Sequence, residues 1–201
     1  MKNIMHVLIS FLLLGCSPST LKVSQDTTSD AVVEEKMHGG SPVPESEQWS
    51  ECGGKIGDHP CNFSFLDQNG DEFNLYQNYG KVILLDFSAM WCGVCNNIAH
   101  DAQRFTTEYA DKDFMWVTVL VDNDQGQSVT QNEAWMWSEV YGITDSPVLA
   151  ADRSVIDLTA ENGIPVSSWP TILILNRKMI IKEGINGWNE QVVKSWIENE
   201  L

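Results

Sequence analysis

Two cysteines separated by two residues carry the clearest chemical signal in the sequence. Cys92 and Cys95 enclose Gly93 and Val94, and a thiol pair of this kind can exchange two electrons with another disulfide. Residues three apart lie on one face of a helix, so the two sulfurs can reach bonding distance without a large backbone movement. We expect Cys92 to attack a substrate disulfide and Cys95 to resolve the resulting mixed disulfide.

A buried strand followed at once by a helix must position this pair. Residues 82–87 are apolar apart from Asp86 and predict a strand buried on both faces. A helix is predicted from Cys92 to about Ala110. At the start of a helix, unpaired backbone N–H groups and the helix dipole favour a thiolate over a thiol, and the thiolate is the nucleophile in disulfide exchange.

The rest of the folded part predicts one α/β domain over residues 51–201. Further predicted elements are a short strand at Phe63 and Phe65, a buried strand at 114–121, helices at 131–141 and 154–161, a hairpin of 172–175 with 179–182, and a final helix at 189–198. A βαβ half followed by a ββα half gives a central mixed sheet with helices on both faces.

Other uses of a cysteine pair fit the sequence less well. A zinc site would need two more ligands at compatible spacing, and no second paired motif is formed by the remaining candidates His38, His59 and His100. A purely structural disulfide would close so small a loop that it would stabilise the fold little. We therefore expect no metal and no other cofactor.

A second cysteine pair precedes the first predicted strand. Cys52 and Cys61 could form a disulfide, which is natural in an oxidising compartment. A structural role is favoured over a second redox pair.

The charge balance limits the partners. The formal net charge is −16, from 12 basic and 28 acidic residues. Phosphate binding needs a basic face, so nucleic acid and anionic membrane surfaces are not expected as partners.

The N-terminus has the features of an export signal. Residues 4–14 form an apolar run that is too short to span a bilayer, and it ends in Leu13-Leu14-Gly15-Cys16, which resembles the lipobox of bacterial lipoproteins. The resemblance implies removal of residues 1–15 and lipidation of Cys16, with an ordinary signal peptide as the alternative. Residues 16–50 are predicted to be a flexible tether. The expected location is the bacterial cell envelope, facing the periplasm or the exterior, and Ser17 favours the outer membrane in a Gram-negative cell.

Residues 85–95, Leu-Asp-Phe-Ser-Ala-Met-Trp-Cys-Gly-Val-Cys, resemble the active-site strand and helix of thioredoxins. The wider arrangement, over about residues 56–201, is similar to membrane-tethered thioredoxin-like reductases of the TlpA and ResA type. The resemblance implies a thioredoxin fold and a thiol–disulfide oxidoreductase that reduces protein disulfides. Its partners would be protein thiols or disulfides and an unidentified thiol that donates or accepts electrons.

The resemblance also assigns roles to single residues. Asp86 matches the buried acid of thioredoxins and would accept the proton of Cys95. Trp91 matches the flanking tryptophan that shields the sulfurs and, with Gly93 and Val94, would belong to the docking surface. Pro170 matches the cis-proline that faces the disulfide in this fold.

Three departures from that pattern affect the functional interpretation. Val94 stands where proline is usual, so the direction of electron transfer is in doubt. Trp169 is bulkier than the residues common before this proline, so substrate access could differ. Residues 122–141 are an insertion that either caps the active site or pads the sheet edge, and padding is favoured.

Rival functions remain within and outside the enzyme class. A disulfide oxidase or isomerase would use the same pair. A copper chaperone of this fold typically spaces its cysteines as CxxxC, and a peroxiredoxin-like enzyme has threonine where Ala89 stands. A non-catalytic adaptor with vestigial cysteines is the third alternative.

Overall fold

A computed structural model of the protein describes residues 40–201. The predicted signal peptide, the lipidation site Cys16 and most of the predicted tether lie outside the described residues. No helix within residues 40–201 is both long enough and apolar enough to cross a bilayer.

Between residues 40 and 201, seven strands and three α-helices form a small hairpin, a βαβ unit, a further helix and strand, and a ββα unit. The elements are β1 (Ser64–Leu66), β2 (Glu72–Asn74), β3 (Val82–Ala89), α1 (Gly93–Glu108), β4 (Phe114–Asp122), α2 (Gln131–Tyr141), β5 (Val148–Ala150), β6 (Thr171–Leu175), β7 (Ile181–Asn186) and α3 (Glu190–Glu200).

The central sheet is mixed, with strand order β5-β4-β3-β6-β7. Strand β3 is parallel to β4 and antiparallel to β6, with Phe87 opposite Thr171 and Ile83 opposite Leu175. This register sets the end of β3 beside the start of β6. The predicted thioredoxin fold and its mixed sheet are confirmed.

The two faces of the sheet are covered in different ways. One core cluster joins Leu84 of β3 to all three helices, through Ile98 of α1, Trp137 of α2 and Val193 of α3. The other cluster contains Ile83 together with residues of the β1–β2 hairpin and of the segment before β6. Helices were expected on both faces, but a hairpin and irregular segments cover the second face.

The predicted helix at 154–161 is wrong. A single 3-10 turn, Arg153–Val155, forms there instead. The carboxylate of Asp157 accepts hydrogen bonds from the backbone N–H groups of Thr159, at 2.9 Å, and of Asn162, at 3.0 Å. Such local side-chain bonds compete with helix formation. Strand β5, which follows α2, was not predicted.

The folded part begins before residue 51. Residues 40–50, the N-terminal strap, lie against the domain: Ser41 forms a β-bridge with Tyr79, and the indole of Trp49 stacks on His59 with ring centroids 3.8 Å apart. The Trp49 indole also donates a 3.0 Å hydrogen bond to the hydroxyl of Tyr76. These aromatic contacts order a segment whose composition predicted a tether.

Candidate active site

The two cysteines of the CxxC motif, the redox pair, lie where β3 gives way to α1. Cys92 is the N-cap residue of α1, and its Sγ accepts a 3.1 Å hydrogen bond from the backbone N–H of Cys95. The two residues are joined by a disulfide, with Cα atoms 5.2 Å apart. One sulfur therefore already receives a helix N–H donor, which is the arrangement that stabilises a thiolate once the pair is reduced.

The two cysteines differ in their access to solvent. Cys92 is 6% exposed, whereas Cys95 is fully buried at 0%. Of the two cysteines, Cys92 is therefore the one that a substrate disulfide can approach more readily. The buried Cys95 can then attack from within.

An apolar rim surrounds the redox pair. Trp91 and Val94 are about half exposed, at 48% and 49%. The ring of Trp169 meets Trp91 edge-on, with centroids 6.2 Å apart. The peptide bond between Trp169 and Pro170 is cis, and the pairing of Phe87 with Thr171 places Pro170 beside the end of β3.

Gly93 completes the exposed part of the motif. It is solvent-exposed, and nothing lies within 4 Å of the position that a Cβ atom would occupy there. Trp91, Gly93 and Val94 belong to the motif itself, and the Trp91–Trp169 contact joins the Trp169–Pro170 segment to it.

A buried carboxyl group lies behind the redox pair. Asp86 is 1% exposed. Because side chains alternate along a strand, it shares the face of β3 on which Leu84 packs with Cys95 and α1. Burial raises the pKa of Asp86 from 3.8 to about 7, and a 2.6 Å hydrogen bond from the hydroxyl of Ser88 limits this rise by stabilising the carboxylate. A group with this pKa can accept or return a proton near neutral pH.

Sequence reasoning did not find the polar partners of the site. Ser88 lies two positions after Asp86 on the same face of a strand, and this spacing was the signal that could have identified it. The amide of Asn96 donates to the carbonyl oxygens of Met90, at 2.9 Å, and Cys92, at 2.8 Å. The hydroxyl of Tyr141 donates to the amide oxygen of Asn96. No short-range pattern links Tyr141 to the motif.

The second cysteine pair lies elsewhere. Cys52 and Cys61 are joined by a disulfide with Cα atoms 4.8 Å apart. The loop that this bond closes contacts the start of β7, where the N–H of Gly57 donates to the carbonyl of Ile181 at 2.8 Å. Ile181 pairs with Leu175, at the end of β6 opposite to Pro170. The two disulfides are therefore attached to opposite ends of the sheet.

Within residues 40–201, no three His, Cys, Asp or Glu side chains are grouped so that they could hold a metal ion.

In the insertion, the carboxylate of Asp122 forms an ion pair with Arg153 at 2.5 Å. Helix α2 packs beside β5 at the sheet edge and also reaches α1 through Tyr141. Residues 131–141 thus contact both the edge strand β5 and the helix that carries the redox pair.

The profile of the Redoxin family matches residues 40–197. The thioredoxin-like protein YneN of Bacillus subtilis is 26% identical over 133 residues, which are 66% of this chain and 72% of the relative. The thiol–disulfide oxidoreductase ResA of Halalkalibacterium halodurans is 24% identical over 144 residues, which are 72% of this chain and 76% of the relative.

A solved structure has the same fold. The pneumococcal exposed lipoprotein thioredoxin of Streptococcus pneumoniae superposes with a TM-score of 0.54 at 23% sequence identity, and the match covers 69% of this chain and 99% of that chain.

Proposed function

The chain belongs to the Redoxin family and is a thiol–disulfide oxidoreductase, and from this premise we propose that it reduces protein disulfides outside the cytoplasm through Cys92 and Cys95. The observation that carries the proposal is the asymmetry of the redox pair at the N-terminus of α1. Cys92 is the more accessible of the two cysteines, at 6% against 0% exposed, and its sulfur receives the N–H of Cys95.

The proposed reaction has two exchange steps. The thiolate of Cys92 attacks one sulfur of a substrate disulfide, which forms a mixed disulfide and releases the other substrate sulfur as a thiolate. Asp86 accepts the proton of Cys95, whose thiolate then attacks the sulfur of Cys92. This second step forms the Cys92–Cys95 disulfide and releases the second substrate thiolate. Two electrons have passed to the substrate, and an external dithiol of the envelope must restore the reduced pair.

The exposed apolar rim supports docking of a protein rather than a small polar disulfide. Trp91 and Val94 flank Cys92 in the chain and are about half exposed, and Trp169 contacts Trp91, so an unfolded or extended segment of a substrate can bury apolar side chains against them. We therefore assign substrate docking to these residues together with Gly93.

The direction of transfer is tested by equilibrium with glutathione. We expect a redox pair that is more reducing than the glutathione couple, together with turnover of insulin disulfides when dithiothreitol is supplied. Because direction follows the potential of the couple relative to its compartment, a strongly oxidising pair would assign the protein to the oxidase or isomerase alternative. The Cys95→Ala variant provides the control for this measurement, since it cannot form the intramolecular disulfide.

Attachment to the membrane is a separate proposal. The Leu13-Leu14-Gly15-Cys16 sequence after a short apolar run supports cleavage before Cys16 and lipidation of its sulfur. The mature chain would then be an envelope lipoprotein whose domain faces the periplasm or the cell exterior. Several acyl chains attached to one protein anchor it stably in a membrane, whereas a single acyl chain gives only marginal membrane binding.

Labelling with radioactive palmitate tests this attachment in an expression host that processes lipoproteins. The wild-type chain should incorporate label and partition with membranes, and Cys16→Ala should lose both properties. Equal labelling of the two chains would exclude Cys16 as the lipidated residue. The Cys52→Ala/Cys61→Ala variant controls for labelling of other cysteines.

A further inference from the structure

We propose that Asn96 and Tyr141 are positioning residues for the redox pair, so that helix α2 of the insertion is part of the active-site scaffold. The Asn96–Tyr141 pair touches neither substrate nor sulfur directly. It acts on the backbone turn that carries Trp91 and Cys92. The inference rests on the proposed function only in taking Cys92 as the attacking cysteine.

The first link is the amide of Asn96. It donates to the carbonyl oxygen of Met90 at 2.9 Å and to that of Cys92 at 2.8 Å, so one amide group binds the backbone on both sides of Trp91. The backbone N–H of Asn96 also donates to the Cys92 carbonyl, at 3.0 Å, as the first bond of α1. The turn is therefore fixed to the first turn of the helix by side chain and backbone together.

The second link is the hydroxyl of Tyr141. It donates to the amide oxygen of Asn96, and this contact fixes which end of the amide faces the two carbonyls. The ring of Tyr141 packs against the buried Trp137, with centroids 4.6 Å apart, and meets His100 edge-on at 4.9 Å. Tyr141 is thus half-buried, held on one side by the core residue Trp137 and on the other by the exposed ring of His100.

The end of α2 fixes the position of Tyr141. The helix stops at Gly142, whose φ of 66° is left-handed and suits glycine. The N–H of Ile143 then returns to the carbonyl of Ser138 at 2.8 Å. Ile143 is 3% exposed and belongs to the same core cluster as Trp137 and Cys95. A continuous path of packed groups joins this cap to the turn at Cys92.

Loss of the pair should make the Cys92 thiolate less favourable for two reasons. The carbonyl oxygens of Met90 and Cys92 would lose the Asn96 amide as a donor and would oppose negative charge on Cys92 more strongly. The turn that presents the N–H of Cys95 to the Cys92 sulfur at 3.1 Å would also become less rigid. Both effects destabilise the reduced form, so the variants should be more reducing than the wild type.

A double-mutant cycle tests the inference. The chains are wild type, Tyr141→Phe, Asn96→Ala and the double variant, with Tyr79→Phe as a matched control that removes a tyrosine hydroxyl from the N-terminal strap contact with Glu47. The measurements are the rate of Cys92 alkylation by iodoacetamide at pH 7, resolved by mass spectrometry, the equilibrium constant with glutathione, and unfolding by urea. We expect Asn96→Ala to slow alkylation at least about threefold and to shift the glutathione equilibrium by a similar factor.

The cycle has a specific expected pattern. Tyr141→Phe should produce part of the Asn96→Ala effect when made alone and no further effect in the double variant, while Tyr79→Phe should match the wild type. Additive effects of the two substitutions, or reduced stability with unchanged Cys92 alkylation, would overturn the inference. These measurements need no substrate protein. A wild type that alkylates normally but fails to reduce insulin would contradict the proposed function and leave the test of the Asn96–Tyr141 pair intact.

Discussion

Replacement of Cys92 by serine is expected to lower disulfide reductase activity by more than about a thousandfold, because it removes the more accessible cysteine of the redox pair. Cys95 cannot take over the first step, since it is a fully buried residue of the first turn of α1. Activity is measured as insulin reduction with dithiothreitol as the donor, after subtraction of the direct reaction of dithiothreitol.

The partner cysteine should behave differently. Cys95→Ala keeps the attacking thiolate and loses the resolving one, so it should accumulate a mixed disulfide on Cys92 that non-reducing electrophoresis and mass spectrometry can detect. In an envelope extract the same variant would retain natural partners for identification. The assignment of roles fails if Cys92→Ser still forms mixed disulfides through Cys95, or if it keeps more than a small fraction of the wild-type rate.

Replacement of Asp86 by asparagine is expected to slow turnover and to stabilise the oxidised protein above pH 7. The carboxyl pKa is about 7 in the fold and has an ordinary value of 3.8, so the unfolded chain ionises at lower pH than the folded one. Below pH 4 the carboxyl is protonated in both states and costs the fold no stability. The free energy of unfolding falls as the pH rises from 4 to 7, because only the unfolded chain ionises freely there, and above pH 7 the whole ionisation penalty applies. The penalty is at most on the order of 4 kcal/mol, and the uncharged asparagine avoids it.

Urea unfolding at two pH values checks the effect on stability. At pH 8 the Asp86→Asn variant should be more stable than the wild type, by about 1–4 kcal/mol, and at pH 4 the two should be nearly equal. Turnover at pH 7 should fall roughly a hundredfold, because the buried base for Cys95 is lost. A stability difference that is the same at both pH values would show that Asp86 does not titrate as the buried geometry requires.

The centre of the fold could be predicted from the sequence because several signals coincide there. The apolar run at 82–87, the adjacent CxxC motif and the amphipathic pattern of α1 all specify one strand–helix unit. The alternation of side chains in β3 then places Asp86 on the side of Cys95. Each of these inferences uses residues within about ten positions of one another, where the periodicity of a strand or helix determines the geometry.

The parts that escaped prediction depend on contacts between distant residues or on competing local bonds. Tyr141 meets Asn96 only after β4 and α2 have folded back onto α1. Strand β5 has only three residues, too few to show a period. The side chain of Asp157 diverts the backbone from a helix that the composition of residues 154–161 suggested. The composition of the N-terminal strap is that of a linker, and the stacking of Trp49 on His59 that holds it against the domain is not visible in that composition.

The N-terminal strap also determines how far the redox pair can work from a point of attachment. It joins the domain beside Tyr79, next to the start of β3, whereas Cys92 follows the other end of that strand. Strand β3 has 8 residues and is about 26 Å long. If the chain is held at Cys16, the stretch from there to Gly40 spans at most about 80 Å when fully extended. The redox pair would then be confined to a shell of roughly 100 Å above the membrane.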